Sequence, residues 1–482
     1  MMNGIGATTD HRFSEADQIL FASLSGDRNP MHMDALAARR TQAGAPVVHG
    51  VHAVLWALNQ LAADIDLSAL ANIAVSLNRF IYLDRPVTVR LTRRSETGVA
   101  ADVVADGVTV ITLLLKLAPR ACAAPLGEFL AMPPANMACA AETPEELKDA
   151  RGWLDPAKDA GELAAAFPAL TGAIGVERIV GLALLSTLVG MACPGLHSIF
   201  TAFQAELVDG TVEREGIGFY VRIADPRFRV VRMAVQGSGL RATVSAFVRM
   251  PPMTMPGMAD AVDLVAADEF AGKRVLIVGG SRGLGALSAR LVAAGGGEVV
   301  LTYARGAADA AEVAADIHAY RTAPACAVYP MDVTRDLAAQ LGVIPGRFTS
   351  LLYFATPQTR RQKPAVFVPA IHDEFLQYYV RAFAELTALL LGSAAEAKLD
   401  VFWPSSVAVV ERPEDMTEYA MAKAAGEVLA ADLAAADPRL HMVIDRLGRL
   451  PTDQNATVVQ ADFEDPVATM LPLLRRTLYQ PA

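Results

Sequence analysis

From His52 to Ala63 the chain is apolar except for His52, Asn59 and Gln60. A helix lying on a surface shows a polar face at every turn, so this pattern predicts a helix enclosed on nearly all sides. The period then changes. Ala74 to Tyr82, Val87 to Arg93, Gly98 to Ala105 and Thr109 to Lys116 are β-rich runs separated by Asp-Arg-Pro, Ser-Glu-Thr-Gly and Asp-Gly turns, which predicts antiparallel strands. Ahead of the enclosed helix, Ser14 to Ala22 and Ala35 to Arg40 read as helical and Asp27 to Asp34 as a loop. The same order of helix then strands returns at Ile179 to Met191, followed by Ile199 to Leu207, Ile217 to Ile223, Phe228 to Gln236 and Leu240 to Arg249. The halves are placed at 1–118 and 144–250, with an Ala-, Pro- and Met-rich connector from Pro119 to Thr143.

Met250 to Met258 contains three prolines, which break any ladder or helix and mark a linker. Beyond it, buried strands at Arg274 to Val278 and Glu298 to Thr302 alternate with helices at Leu284 to Ala294, Ala308 to Tyr320, Phe375 to Leu391 and Met421 to Ala435. Such alternation predicts an α/β, doubly wound parallel sheet, assigned to 268–482. A length of 482 residues exceeds what one core supports, in keeping with several domains.

The composition, 53% apolar and 20% charged, excludes a disordered chain, and the net charge of −10 argues against a nucleic-acid surface. Cys122, Cys139, Cys193 and Cys326 lack the spacing of a metal site or disulfide framework. The uncharged run Ile179 to Ala205 is interrupted by Gly181, Gly190, Pro194, Gly195 and His197, so a buried helix followed by a strand is expected rather than a membrane span. With no export signal visible at the first residues, the cytoplasm is the expected compartment.

Candidate chemistry falls in two places. Asp27-Arg-Asn29-Pro30-Met-His32 puts a carboxylate and an imidazole five residues apart around a turn, and Val48-His49-Gly50 opens the enclosed helix. Together with Phe21 and Ala38 these residues resemble the signature of MaoC-like, (R)-specific enoyl-thioester hydratases and dehydratases of the hot-dog fold. The resemblance implies a double hot dog (α+β) at the N-terminus. It also implies that Asp27 and His32 activate water or remove the α proton, that Asn29 holds the loop, and that a backbone N–H of Gly50 polarises the thioester carbonyl. Amides of a helix's first turn lack internal partners and favour developing negative charge. The second half lacks the motif and is expected to supply walls and acyl-chain space. His49, His52 and His197 are read as interior or tunnel-wall residues.

The second place starts at Leu276-Ile-Val278-Gly279-Gly-Ser281-Arg282-Gly283-Leu284-Gly285, a glycine loop between a buried strand and a helix, where backbone amides can receive a pyrophosphate. Downstream, Tyr419 precedes Lys423 by four residues, one turn along a helix, and follows Ser406 by thirteen. An ammonium so placed is expected to lower the phenol's pKa. These residues resemble the short-chain dehydrogenase/reductases with their Rossmann sheet. By that resemblance Tyr419 donates a proton to the forming alkoxide, Lys423 supports it and holds the nicotinamide ribose, and Ser406 orients the carbonyl. Asp332 and Val333 meet the adenine ring, and the loop with Ala355 borders the cofactor. Arg305, where an acidic residue would repel a 2′-phosphate, and Arg282 point to NADP (NADPH). The chain departs from the family at Val278, at Tyr378-Tyr379 in place of a helix Asn, and after Lys423 at Arg446 to Thr452.

Both resemblances act at the β carbon of an acyl thioester carried by CoA or acyl carrier protein. The expected function is NADPH-dependent reduction of a 3-oxoacyl thioester and dehydration of the (R)-3-hydroxy product, or hydration in reverse, in a homo-oligomer, with a dimer favoured, without a metal. Two other readings stay open: a dehydratase whose dehydrogenase part is a cofactor-binding scaffold, and a non-catalytic sensor of acyl thioester and nicotinamide.

Overall fold

The computed structural model describes residues 10–157, 160–210, 213–321, 326–359, 363–393, 397–453 and 462–478. The chain divides into two compact units, the first running to Pro252 and the second starting at Met253.

The first unit runs β1 (His11–Arg12), α1 (Glu15–Ser25), α2 (Pro30–Met33), α3 (Ala35–Arg39), α4 (Gly50–Asp64), β2 (Leu70–Leu77), β3 (Pro86–Ser95), β4 (Gly98–Ala105), β5 (Val108–Leu117), β6 (Ala121–Cys122), β7 (Arg151–Leu154), α5 (Ala160–Ala166), α6 (Pro168–Ile174) and α7 (Val176–Thr187). A π-helical turn, Leu188–Ala192, prolongs α7, and β8 (Ser198–Asp209), β9 (Ile217–Asp225), β10 (Val230–Gly237) and β11 (Leu240–Val248) follow. Among the described residues, one sheet orders these strands β1-β3-β4-β5-β2-β8-β11-β10-β9-β7, with β6 beside β8. The two helix-then-strands halves meet where β2 pairs antiparallel with β8, from Asn72 opposite Glu206 to Ser76 opposite Ala202. Leu55 and Leu58 of α4, Leu182 and Leu185 of α7, Leu113 of β5 and Val244 of β11 belong to one core. Both long helices are thus buried by the same sheet, which explains why neither shows a polar face in the sequence.

Some boundaries differ from expectation. The first predicted strand stands earlier, at Leu70–Leu77, because the amides of Asn78 and Arg79 leave the ladder and both donate to the Val110 carbonyl. The strand expected from Phe228 begins at Val230, since Arg229 takes a left-handed φ of 52° in the turn before it. The connector carries β6 and a short 3-10 turn at Gly127–Ala131, where Leu126 and Phe129 pack on Trp153 of the unpredicted β7. The apolar run raised as a membrane candidate is α7, its π turn and the start of β8. No single helix among the described residues is long and apolar enough to cross a membrane, and the pair Pro168–Ile174 and Val176–Ala192 that passes jointly is bent by 115°.

The second unit runs α8 (Met258–Ala261), β12 (Arg274–Val278), α9 (Gly283–Ala294), β13 (Glu298–Tyr303), α10 (Ala307–Tyr320), β14 (Cys326–Pro330), α11 (Leu337–Gly342), β15 (Ser350–Tyr353), α12 (Pro369–Leu376), a π turn Gln377–Arg381, α13 (Ala382–Ser393), β16 (Leu399–Ser406), α14 (Ala408–Glu411), α15 (Thr417–Ala436), β17 (Leu440–Leu447) and α16 (Pro466–Leu478). The helix expected at Phe375 to Leu391 is therefore divided, and the one expected from Met421 starts a turn earlier, taking in Tyr419. Six strands order as β14-β13-β12-β15-β16-β17, and each adjacent pair is parallel. Successive residues of β12 enter opposite cores, Val275 and Ile277 one and Leu276 and Val278 the other, so the strand is apolar without alternation. Chain order reverses between β12 and β15, and in open parallel sheets the crevice at such a point lies beyond the strands' carboxyl ends.

Candidate functional site

In the first unit, local chain chemistry sets the acid and the imidazole. Ser14 and Asp17 form a capping box at the start of α1, and Gly26 ends the helix with a left-handed φ of 87°. Asp27 follows at once and is buried, 2% exposed. Asn29 caps α2 by accepting from the Met31 amide at 3.0 Å, and its side-chain amide donates to the carbonyls of Gly190 at 2.8 Å and Gly195 at 3.1 Å. That fixes α2, and His32 sits within it. Its Nδ1 lies 2.7 Å from the Val47 carbonyl. A carbonyl only accepts, so Nδ1 carries the proton and Nε2 of the neutral ring keeps its lone pair.

An Asp27 carboxylate oxygen and a ring nitrogen of each of His32 and His49 lie within 4.8 Å of one another. The rings of His32 and His49 stack at 4.0 Å, and His49 Nε2 donates to the Asp27 carbonyl at 3.1 Å. Burial, then the nearby His32 and His52, pushes the His49 pKa well down, which keeps it neutral. His52 stacks on Phe21 at 4.6 Å, and burial lowers its pKa to about 4. Burial raises the Asp27 pKa, opposed by His32, by a hydrogen bond from Ser186 and by the Asn29 amide. Gly50 opens α4, whose N-terminus has no side-chain cap, and a Cβ at Gly50 would stand 3.0 Å from Leu77.

The sequence carried no signal for the contribution of the second half. Ser186 Oγ donates to Asp27 Oδ2 at 2.6 Å, and Thr187 Oγ1 donates to the Ser25 carbonyl at 2.5 Å. Besides the walls and acyl-chain space expected of it, this half holds the acid. An apolar pocket lies beside the loop, lined by Leu24, Leu163, Val180, Ala183 and Leu184 among others.

In the second unit, the glycine loop joins β12 to α9. Gly279 has φ of 80°, and a Cβ there would stand 2.9 Å from the Ala355 amide nitrogen; at Gly285 it would stand 2.4 Å from the Gly279 carbonyl oxygen. Gly283 opens α9, whose N-terminus has no side-chain cap. Side-chain-free backbone and uncapped amides fit a dinucleotide pyrophosphate. Ser281 is buried in the loop, and Leu284 packs on the core behind it. Arg305 is exposed just past β13. Arg282 is ion-paired with Asp453 at 3.0 Å, so that residue is engaged within the protein. The Asp332 carboxylate accepts from the amide and hydroxyl of Thr334, and the Val333 side chain is buried in the core.

Tyr419 lies in the first turn of α15, and Ser406 stands at the end of β16. Burial raises the Tyr419 pKa and Ser406 opposes it. Lys423 differs from expectation. Its Nζ donates to the Pro404 carbonyl at 2.6 Å and lies over the rings of Tyr379 at 4.0 Å, Trp403 at 4.6 Å and Tyr419 at 6.0 Å. Burial lowers its pKa to about 7, opposed by Glu427, which itself takes two 2.7 Å bonds from Arg446 and one from Ser405. The phenol is therefore held up by burial and not drawn down by the amine. Tyr379, of the pair Tyr378-Tyr379, bonds to Thr356 at 2.6 Å.

Residues 4–112 match the family model described as a MaoC like domain, and residues 273–444 the model described as a short chain dehydrogenase. No curated protein matches the chain. Among solved structures, the yciK oxidoreductase of E. coli is 21% identical at a TM-score of 0.40, covering 44% of this chain and 92% of its own. A short chain dehydrogenase from Shigella flexneri is 21% identical at 0.40, covering 44% and 88%. FolM alternative dihydrofolate reductase 1 from Brucella suis, in complex with NADP, is 19% identical at 0.34, covering 37% and 73%.

Proposed function

Since this chain is a fusion of a MaoC-like domain with a short-chain dehydrogenase domain, we propose that it acts twice at the β carbon of an acyl thioester. One site reduces the 3-oxo group with NADPH, and the other dehydrates the (R)-3-hydroxy product or hydrates the 2-enoyl thioester. The reading is carried by the assembly of each reactive set: Asp27 with His32 within 4.8 Å in one unit, and Tyr419 with Lys423, whose Nζ lies 6.0 Å from the phenol ring, in the other. The repeated helix-then-strands order supports a double hot dog for the first unit, and the strand order supports a Rossmann fold for the second.

In the hydratase site His32 offers Nε2 to a water or an α proton, Asp27 shares that work, and the Gly50 amide at the start of α4 receives charge developing on the thioester oxygen. In the reductase site bound NADPH would supply the hydride. Gly279, Gly283 and Gly285 would admit its pyrophosphate, and Arg305 its 2′-phosphate. Ser406 orients the ketone and Tyr419 donates the proton to its oxygen. We further propose a cytoplasmic homo-oligomer acting on CoA or acyl-carrier-protein thioesters.

The test is NADPH oxidation with acetoacetyl thioesters and hydration of crotonyl thioesters on both carriers. Asp27→Asn should lower hydration by about 100-fold or more and spare reduction, and Tyr419→Phe should do the reverse. Hydration that survives while the wild type oxidises no NADPH identifies the dehydrogenase unit as a scaffold. Absence of both activities across chain lengths overturns the proposal.

A further inference from the structure

Asp27 comes from the first half of its unit, yet the second half holds its carboxylate. Ser186 Oγ donates to Oδ2 at 2.6 Å, and the Asn29 amide to Oδ1 at 3.1 Å. The opposite side is closed by Gly190, where a Cβ would stand 2.3 Å from Oδ1 and 2.7 Å from the carboxyl carbon. No side chain fits between them. The Gly190 carbonyl also accepts from the Asn29 side chain, and Thr187 holds the Ser25 carbonyl two residues before the acid. Gly190 lies in the π turn Leu188–Ala192, an extra residue in the helix that turns its backbone toward Asp27.

We infer that Ser186 and Gly190 form a seat that positions Asp27 for the acid/base step, so the chemistry of the first half belongs to both halves. The inference rests on the hydratase reading above. Ser186 is a positioning residue: it touches the acid and not the reacting carbon. It engages Oδ2, while Oδ1 takes the Asn29 amide. The other titratable groups facing the acid are His32 of α2, His49 at the start of α4 and Cys139 of the connector, whose thiol burial and Asp27 together push up to about 11.

The experiment compares Ser186→Ala, Ser186→Thr and Gly190→Ala in the full chain, reading kcat and KM for enoyl-thioester hydration across pH, the melting temperature, and the titration of the Asp27 carboxyl carbon in 13C-aspartate-labelled protein, assigned with Asp27→Asn. Removing a hydrogen bond that favours the carboxylate raises its pKa, and a base is lost as pH falls through that value. Ser186→Ala should therefore lower kcat about 10- to 100-fold, leave KM within about two-fold, and move the acid limb to higher pH. Ser186→Thr, which keeps the hydroxyl, should restore the limb, and Gly190→Ala should lower kcat as well. An unmoved acid limb in Ser186→Ala overturns the inference, whether activity is intact or falls only as far as the melting temperature does. Should the wild type hydrate no enoyl thioester, the functional reading fails by itself. The Asp27 titration then decides the seat: a midpoint raised in Ser186→Ala supports it, and an unmoved one refutes it.

Discussion

Lys423 is a buried amine, 7% exposed, with a backbone carbonyl and three aromatic rings for company. Its pKa falls from 10.5 to about 7. Between those values the unfolded chain holds a proton that the native chain has shed, so native stability rises as pH climbs through this range and is lost as pH falls through about 7. Replacing the amine with an apolar side chain of similar length removes the dependence. Lys423→Met should melt above the wild type at about pH 6, with the gap closing toward about pH 10. Melting curves at the two ends check this, and a gap that stays constant would refute it. The spacing of Tyr419 and Lys423 was legible in the sequence, being one turn of a helix. The route of the Nζ to the Pro404 carbonyl was not, because it depends on how β16 packs on the helix, its Trp403 lying against Gly426.

Helix α15 is fastened beside the phenol. Glu418, the neighbour of Tyr419, pairs with Lys363 at 2.6 Å with both side chains 2% exposed, and it accepts from the Val368 amide at 2.6 Å. Burial would raise the Glu418 pKa, but the Lys363 and Val368 bonds hold it down. A buried pair broken on one side strands the other charge, which costs about 3–5 kcal/mol. Glu418→Leu, which removes the acceptor, should therefore free the Val368 amide for hydrogen exchange and lower thermal stability, and protection equal to the wild type would show that the pair holds nothing. Elements of this kind mark where sequence reading stops. Enclosed helices and alternating strands declare themselves by period, and the glycine loop by its flanking strand and helix. The π turns at Leu188–Ala192 and Gln377–Arg381 leave no periodic trace, since one added residue in a long apolar helix does not change which residues are apolar. Ser186 was hidden for the same reason: a lone hydroxyl in an uncharged helix acquires meaning only from an acid 159 positions away.

Among the described residues the two units have separate cores, a main one with two small satellites in the first and two on the faces of the parallel sheet in the second. A ligand that binds one native unit stabilises that unit alone, by about 2.7 kcal/mol at a hundred times its dissociation constant. Calorimetry with NADPH should raise one melting transition and leave another in place; a single transition that moves as a whole would mean the units unfold together. Within the first unit the situation is reversed. Leu70–Leu77 has β5 on one side and β8 on the other, and the end strands of the sheet are only His11–Arg12 and Arg151–Leu154. Severing the halves at the connector would turn the β2 and β8 backbones into two long raw margins where the intact sheet presents a pair of stubs. Such margins recruit any extended chain they encounter. Gene fragments encoding either half alone should therefore yield sticky, clumping material, and engineers seeking the hydration chemistry in miniature will have to carry both halves together.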